Sequence, residues 1–311
     1  MQEITNYDKV FKTLVQKTQD YVVGNNLSAM VLGISGGIDS TVVAAICHEV
    51  AKRTNIPLIG RSLPSKYNKK GEITTADLVG KAFCNNYKVH NINHTYHTYL
   101  SEIILSETGD VYYDVDYDGN ITYVKDDFLS PIAKGNIQAR LRMIYLYNLA
   151  SIHGGLVMDT DNLTENNLGY FTIHGDVGDF NPIGGLWKTK VFELAIWLCS
   201  YYDEGSDQFT AIMKSLELKS TAGLGITDSD LEEIGANNWF QVDSILKEIL
   251  AWKYETLWIN EIPIDQTTPW EQRNAFIKER RINNIPNEVI ERVATRHFKS
   301  EFKRKQLPIK L

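Results

Sequence analysis

The sequence predicts an α/β fold in which a parallel β-sheet carries helices on both faces. Three observations lead to this prediction. In the first half of the chain, short apolar segments alternate with amphipathic helical patterns, which is typical of βαβ units. The 43% hydrophobic and 23% charged residues are ordinary for a globular protein. From Gln208 onward the pattern is mostly helical, which predicts a helical C-terminal part.

The individual elements follow from the spacing of apolar residues. From Ile4 to Val22 these residues recur at helical spacing, so the chain is predicted to begin with an amphipathic helix. Short apolar runs predict buried strands at Ser28–Ile34 and Gly155–Met158. Two further strands of the parallel sheet are predicted at Ile56–Arg61 and Tyr87–Ile92. Helical patterns predict further helices at Thr41–Arg53, Thr74–Asn85, Ile137–Ile152, Trp187–Tyr201 and Asn287–Lys305.

The segment from Val111 to Val124 interrupts this alternation. Two segments rich in β-branched and aromatic residues flank Asp118-Gly119-Asn120, a turn sequence that favours a β-hairpin. We therefore predict an inserted hairpin of residues 111–124 between two α/β units. Because no linker rich in Pro, Gly or Ser divides the chain, residues 1–311 are predicted to form a single domain.

Charge and cysteine usage limit the classes of function. The 39 acidic residues exceed the 32 Lys and Arg residues, for a net charge of -7, which argues against nucleic-acid binding. The three cysteines form no CxxC pair. This argues against a disulfide scaffold or a cysteine zinc site and predicts a reducing, cytoplasmic setting. The longest apolar runs, of about six residues, fall far short of the roughly 20 that span a membrane.

A glycine-rich loop, Ser35-Gly36-Gly37-Ile38-Asp39-Ser40, lies between a predicted strand and a predicted helix. Glycines allow the tight turn, and the N–H groups at the helix start form a binding place for an anion. This predicts phosphate or pyrophosphate binding. The alternative is an ordinary strand-to-helix turn capped by Asp39 or Ser40. Neither the Walker pattern GxxxxGK[ST] nor the dinucleotide pattern GxGxxG is present in the loop.

The pattern SGGxDS of this loop resembles that of the N-type ATP pyrophosphatases, the PP-loop family. The resemblance implies a Rossmann-like fold of the adenine nucleotide alpha hydrolase type. It also implies cleavage of ATP between the α and β phosphates, with the loop holding the pyrophosphate that leaves.

Several motifs resemble one PP-loop family, the NAD synthetases. They follow in the order Gly135–Met143, Thr160–Thr172, His174–Asp176, Asn181–Ile183, Lys188–Thr189, Thr221–Leu224, Thr227–Asp228 and Glu301–Arg304. The resemblance implies that deamido-NAD, ATP and ammonia react to NAD, AMP and pyrophosphate, with Mg²⁺. The nicotinic acid carboxylate is adenylated first, and ammonia then displaces AMP.

The same resemblance implies roles for individual residues. Asp39 and Glu165 are expected to ligate Mg²⁺, since this ion prefers oxygen ligands. Catalytic roles are expected for Asp39, Asp176 and Lys188. ATP is expected to contact Gly33, Ser35, Gly36, Gly37, Ser40, Thr160, Lys188 and Thr221. Deamido-NAD is expected to contact Arg140, Asp176, Asp179, Phe302 and Lys303.

Other interpretations stay open for several of these residues. Asp176 and Asp179 lie among glycines and could be turn residues, and Arg140 could belong to an ordinary helix surface. Lys303 could lie at a solvated helix end, where a cation complements the helix dipole. The sequence departs from the family pattern at Ile173 and Phe302, where lysine and histidine are frequent.

The resemblance also implies a nitrogen donor and an assembly. Glutamine-dependent relatives carry an amidase domain ahead of the synthetase, whereas the glycine loop here begins at Ser35, so ammonia is expected as the donor. The family is homodimeric with the dinucleotide site at the subunit boundary, so a homodimer is expected.

Two alternative functions remain. The first is another PP-loop ligase, which aminates a nucleotide base or modifies tRNA; a tRNA enzyme is expected to carry a basic appended domain, which the acidic sequence does not show. The second is an ATP-binding sensor without catalytic activity. A sensor is expected to lack the acidic metal ligands, yet Asp39 and Glu165 are present.

Overall fold

A computed structural model of the chain describes residues 6–109, 113–115, 121–123, 129–218, 229–280 and 282–304. The strands are β1 Ala29–Gly33, β2 Leu58–Ser62, β3 Asn86–Val89, β4 Tyr113–Val115, β5 Ile121–Tyr123, β6 Gly155–Met158, β7 Trp258–Ile259 and β8 Ile262–Pro263. The helices are α1 Tyr7–Gly24, α2 Ile38–Thr54, α3 Lys70–Phe83, α4 Asn93–Thr108, α5 Pro131–His153, α6 Leu163–Leu168, α7 Lys188–Tyr201, α8 Asp207–Glu217, α9 Asp230–Ile234, α10 Trp239–Glu255, α11 Pro269–Glu279, α12 Asn287–Lys299 and α13 Glu301–Arg304.

The main sheet is parallel and has the strand order β3-β2-β1-β6. Strand β1 lies in the middle, where Met30 pairs with Leu58 on one side and with Leu156 on the other. After β1 the chain adds β2 and β3 on one side of this strand and later adds β6 on the other side. The carboxyl end of β1 is therefore the point where the strand order reverses. In open α/β sheets a crevice forms at this point, beyond the carboxyl ends of the strands.

Helices cover both faces of the sheet, as the sequence predicts. Met30 and Leu32 of β1 belong to a buried cluster with α1, α2, α3, α7 and α8. Ala29 and Val31, the alternate residues of the same strand, belong to a second cluster with Met143 and other residues of α5. Alternating side chains of a strand point to opposite faces, so the parallel sheet with helices on both faces is confirmed.

The inserted hairpin is confirmed in its pairing: β4 and β5 are antiparallel, with Tyr113 opposite Tyr123. The predicted turn residues Asp118 to Asn120 lie outside the described residues. The helices differ from the prediction in several details. Helix α3 begins at Lys70 and α5 at Pro131, earlier than predicted. Helix α4, which follows β3, was not predicted, and the helix predicted at Asn287–Lys305 ends at Lys299, after which the short α13 begins.

The helical C-terminal part has its own apolar core, built mainly from α10, α11 and α12 around Trp252, Phe276 and Phe298. Leu168 at the end of α6 and Trp187 at the start of α7 pack into the same core. Leu168 lies three residues after Glu165, and Trp187 directly precedes Lys188. The C-terminal helices therefore support the segments that carry these two predicted site residues. Across the described ranges, the chain contains no helix with the length and apolarity needed to span a membrane.

Candidate active site

A cavity of about 300 Å³ opens where β1, β2 and β6 end, and Gly33, Ser62 and Met158 line it. This is the crevice expected from the strand order. Most of the residues expected to bind ATP or metal lie on its wall, together with one expected to bind deamido-NAD: Gly33, Ser35, Gly37, Asp39, Ser40, Thr160, Glu165, Asp176 and Lys188.

The glycine loop turns into α2 at the floor of this cavity. Gly36 has a φ of 84°, and a Cβ there would lie 2.7 Å from the Glu72 carbonyl oxygen and from the Ala76 nitrogen of α3. The loop can therefore approach α3 only because this residue has no side chain.

The start of α2 is open to an anion. Its N-cap is Gly37, and no side chain caps this helix end in the part of the chain that the structure describes. The hydroxyl of Ser40 instead donates to the Gly37 carbonyl oxygen at 3.0 Å. The capped-turn alternative for Asp39 and Ser40 is therefore wrong. Uncapped N–H groups and the helix dipole at this end favour an anion.

Lys188 joins the two expected metal ligands. Its Nζ lies 2.5 Å from Asp39 Oδ2 and 2.9 Å from Glu165 Oε1. The three residues come from the first turns of α7, α2 and α6, and Lys188 is only 1% exposed. The ring of Trp239 on α10 lies against the ammonium, with Nζ 5.1 Å from the ring centre.

Asn162 holds the two carboxylates in place. Its side-chain nitrogen donates to Asp39 Oδ1 at 2.8 Å. It is also the N-cap of α6, where its oxygen accepts from the Glu165 N–H and its own N–H donates to Glu165 Oε2. This capping box explains why the sequence places Glu165 three residues after Asn162.

The charges in this group perturb one another. Burial alone would lower the pKa of Lys188, but Asp39 and Glu165 raise it above its usual value, so the ammonium stays protonated. Burial, and repulsion from Asp39, raise the pKa of Glu165 to about 7, although Lys188 acts in the opposite direction. Two carboxylates and one ammonium leave one excess negative charge when both acids are ionised.

The carboxylate pair suits a divalent cation. In the described ranges no group of three or more His, Cys, Asp or Glu residues is arranged to hold a metal. Mg²⁺ does not require such a cage, because it usually binds one or two carboxylates and completes its shell with phosphate oxygens and water. Asp39 and Glu165, which lie beside the uncapped start of α2, meet that requirement.

Asp161 is an acidic cavity residue that was not selected from the sequence. It is 7% exposed, and its Oδ2 has no hydrogen-bond partner among the described residues. Burial, and the neighbouring Asp159, raise its pKa well above the usual value. In the sequence, its position next to Thr160, shortly after a predicted buried strand, could have indicated that Asp161 belongs to the site.

Two arginines of the cavity wall are not among the predicted site residues, although Arg142 belongs to the motif Gly135–Met143. Arg61 at the end of β2 is 4% exposed, and its Nη1 donates to the Gly60 carbonyl oxygen at 2.7 Å. Arg142 on α5 donates from Nε to the Leu63 carbonyl oxygen at 3.0 Å. Both place positive charge on the wall of the cavity. The position of Arg61 at the carboxyl end of a predicted strand was the usable signal.

Asp176 opens onto the cavity, and its Oδ2 accepts from the Thr172 N–H at 2.6 Å. The surrounding protein desolvates this carboxylate and raises its pKa, although the hydrogen bond to Thr172 and the charge of Arg142 act in the opposite direction. Asp176 is therefore both a turn residue and a cavity residue.

The other residues expected at the dinucleotide lie outside the cavity wall. Arg140 is exposed on α5, and its Nε donates to the Ile173 carbonyl oxygen at 3.3 Å. Asp179 Oδ2 accepts from the Val157 N–H at 2.9 Å. Phe302 is 58% exposed. Thr221, expected at ATP, lies outside the described residues.

Lys303 does not lie free in solvent. Its Nζ donates to the carbonyl oxygens of Gly169 at 2.9 Å and of Phe171 at 2.6 Å. It thereby ties α13 to the segment that follows α6. Burial lowers the pKa of Lys303 below its usual value, and the charge of the nearby Asp176 opposes this shift only in part.

Comparison with known proteins relates the whole chain to one family. The family model described as NAD synthase matches residues 10–307. The NH(3)-dependent NAD(+) synthetase of Methanococcoides burtonii is 34% identical over 230 residues, which cover 73% of this chain and 74% of that protein. The protein of the same name from Pyrococcus horikoshii is 30% identical over 307 residues, 98% of this chain and 95% of that one. The solved structure of NMN synthetase from Francisella tularensis has the same fold, with a TM-score of 0.68 and 24% identity over 97% of both chains.

Proposed function

The chain belongs to the NAD synthase family, and we propose that it is an ammonia-dependent NAD synthetase, a ligase that forms a carbon–nitrogen bond. Its substrates are deamido-NAD, ATP and ammonia, and its products are NAD, AMP and pyrophosphate. The observation that carries this proposal is the contact of Lys188 with Asp39 and Glu165 beside the uncapped start of α2.

The geometry supports activation of an acid by ATP. A carboxylate oxygen of the substrate attacks the α phosphorus, the bond from this phosphorus to the bridging oxygen breaks, and pyrophosphate leaves. Negative charge accumulates on the leaving group, where the loop N–H groups and the Lys188 ammonium stabilise it. Asp39 and Glu165 would hold Mg²⁺, which would supply further neutralisation of this charge.

The second step replaces AMP by nitrogen. Ammonia attacks the carbonyl carbon of the acyl adenylate, the bond from this carbon to the AMP oxygen breaks, and one proton leaves the nitrogen. Asp176 opens onto the cavity, and its raised pKa suits a group that takes up this proton. No covalent bond to the protein is required in either step.

A homodimer is part of this proposal. Helix α5 exposes apolar side chains near Arg140: Ile144, one turn after Arg140, is 56% exposed, and Ile152 is 75% exposed. A second subunit on this face would cover the apolar side chains and bring its surface close to Arg140. Sedimentation should show a dimer that the variant Ile144→Asp dissociates, whereas Ile196→Asp, at a 61% exposed position on α7, should leave it intact. A monomeric wild-type protein would contradict this part of the proposal.

The function is tested by product analysis. The protein is incubated with ATP, Mg²⁺, ammonium and deamido-NAD, and the products are separated by chromatography. We expect NAD and AMP in equal amounts, and near loss of both with Asp39→Asn while circular dichroism stays unchanged. Formation of ADP, or no turnover, would contradict the proposal.

Two parallel reactions define the substrates. One replaces deamido-NAD by nicotinic acid mononucleotide, and we expect the dinucleotide to react with the higher kcat/KM. The other replaces ammonium by glutamine, and we expect no NAD. Preference for the mononucleotide, or use of glutamine, would replace the proposed substrate. A cytoplasmic location stays a prediction from the sequence.

A further inference from the structure

Asp243 is a buried carboxylate of the C-terminal helices that lies next to the candidate site. It is 1% exposed and stands on α10, one turn after Trp239, whose ring faces the Lys188 ammonium. Residues four apart share one face of a helix, so α10 directs both side chains at the start of α7.

Asp243 accepts three hydrogen bonds there. Its Oδ2 accepts from the Thr189 N–H at 3.0 Å and from the Thr189 hydroxyl at 2.7 Å. Its Oδ1 accepts from the Thr164 hydroxyl at 2.5 Å. One carboxylate thus joins the residue after Lys188 to the residue before Glu165.

These contacts replace a missing helix cap. The N-cap of α7 is Trp187, which makes no side-chain capping bond. The first N–H of the helix, that of Lys188, donates to the Thr164 hydroxyl oxygen at 2.8 Å, and the next, that of Thr189, donates to Asp243. The negative charge of Asp243 at this helix start is favourable, because the dipole is positive there.

We propose that Asp243 is a positioning residue that fixes Lys188 and Glu165 against each other and against the glycine loop. Its three donors belong to α6 and α7, whose first turns carry these two charged groups. Without the carboxylate, Thr164 and Thr189 would lose the acceptor that they share. The bond from the Lys188 N–H to Thr164 would remain, but the Nζ of Lys188 would be held less firmly relative to the leaving phosphates.

The assignment to catalysis rests on the proposed function, but its test includes a measurement that does not need turnover. The variant Asp243→Asn keeps the size of the side chain and one accepting oxygen, and removes the charge and one acceptor. Binding of pyrophosphate in the presence of Mg²⁺ is measured by calorimetry. We expect the Kd of Asp243→Asn to rise about tenfold. This is the lower end of the roughly 10- to 100-fold loss that follows removal of a direct partner of a metal ligand, because Asp243 contacts the neighbours of Glu165 and Lys188 in the sequence.

Steady-state kinetics separate positioning from general damage. For Asp243→Asn we expect kcat to fall about 10- to 100-fold. KM for deamido-NAD should stay within about twofold of the wild-type value, because Asp243 bonds Thr164 and Thr189, which are not among the residues expected to contact deamido-NAD. Glu49→Gln serves as the control, since Glu49 is a buried carboxylate, 6% exposed, that contacts Lys52 and Tyr202. It should keep the wild-type kcat and pyrophosphate affinity.

A second pair of variants keeps the test valid if Asp243→Asn does not fold. Thr189→Val removes only the hydroxyl that donates to Asp243, and Thr189→Ser restores it. We expect the valine variant to weaken pyrophosphate binding and the serine variant to restore it. Wild-type affinity in both Asp243→Asn and Thr189→Val, or an equal loss in Glu49→Gln, would overturn the role of Asp243. If the wild-type protein makes no NAD, the proposed function fails, and the binding comparison still decides this role.

Discussion

Replacing Lys188 by methionine tests the charge arrangement of the site. Methionine has a similar length and no charge, so the change removes the ammonium with little change in packing. In the wild-type protein, Asp39 and Glu165 share the positive charge of Lys188. In the variant, the two carboxylates would face each other without this charge between them.

The size of the effect follows from the distances. The Asp39 and Glu165 oxygens lie 2.5 and 2.9 Å from the same nitrogen. The two oxygens are therefore at most about 5.4 Å apart, which is the sum of these two distances. At this distance, with an effective dielectric constant of about 20, two negative charges repel each other by about 3 kcal/mol or more. Removal of one partner from a buried ion pair typically costs about 3–5 kcal/mol. We expect Lys188→Met to lower the free energy of unfolding by about this amount.

The assay is equilibrium unfolding in urea at one protein concentration and neutral pH, with and without Mg²⁺. The matched control is Lys190→Met, because Lys190 stands on the same helix and pairs with the more exposed Glu193 at 2.8 Å. A pair of this kind contributes about 1 kcal/mol or less. Added Mg²⁺ should stabilise Lys188→Met more than the wild type. Equal losses in the two methionine variants would refute the reasoning.

Other variants probe the loop and the C-terminal core. Gly36→Ala should destabilise the protein by more than Gly109→Ala and abolish ATP binding in calorimetry. Both glycines have positive φ, but only the Cβ at residue 36 meets backbone atoms; equal effects would contradict this. His297 is buried with Nδ1 bonded to the Asn167 carbonyl oxygen, and burial lowers its pKa well below the usual value. The folded protein therefore excludes a proton that the unfolded chain binds below about pH 6.5, so stability should fall between pH 7 and pH 5, by up to about 2 kcal/mol. Urea unfolding of His297→Gln should show a flatter pH dependence, and an unchanged dependence would contradict the assignment.

Much of the candidate site could be predicted from the sequence because its chemistry is local. The turn at Gly36 needs a residue without a side chain, and Asn162 and Glu165 form a capping box within one helical turn. Patterns that span only a few residues can be recognised from the sequence alone. Of the other cavity residues, Arg61 ends one predicted strand and Asp161 follows another, so the strand ends indicate both positions.

Other parts of the site depend on packing between distant segments. Asp39 and Lys188 stand 149 residues apart, and Asp243 reaches the start of α7 from the C-terminal helices. No local pattern distinguishes Asp243 from an ordinary helix residue, because its three donors belong to segments elsewhere in the chain.

By itself, the sequence determined the alternation of strands and helices, the glycine loop and the family. These depend on residue spacing and backbone preferences within a few residues, which the chain carries whatever its neighbours are. The tertiary structure alone decided which charges meet. It placed Lys188 between Asp39 and Glu165 and supplied Asp243 to an uncapped helix. The physical reason is that a buried charge requires a partner, and the partner is chosen by how the sheet and the C-terminal helices pack together.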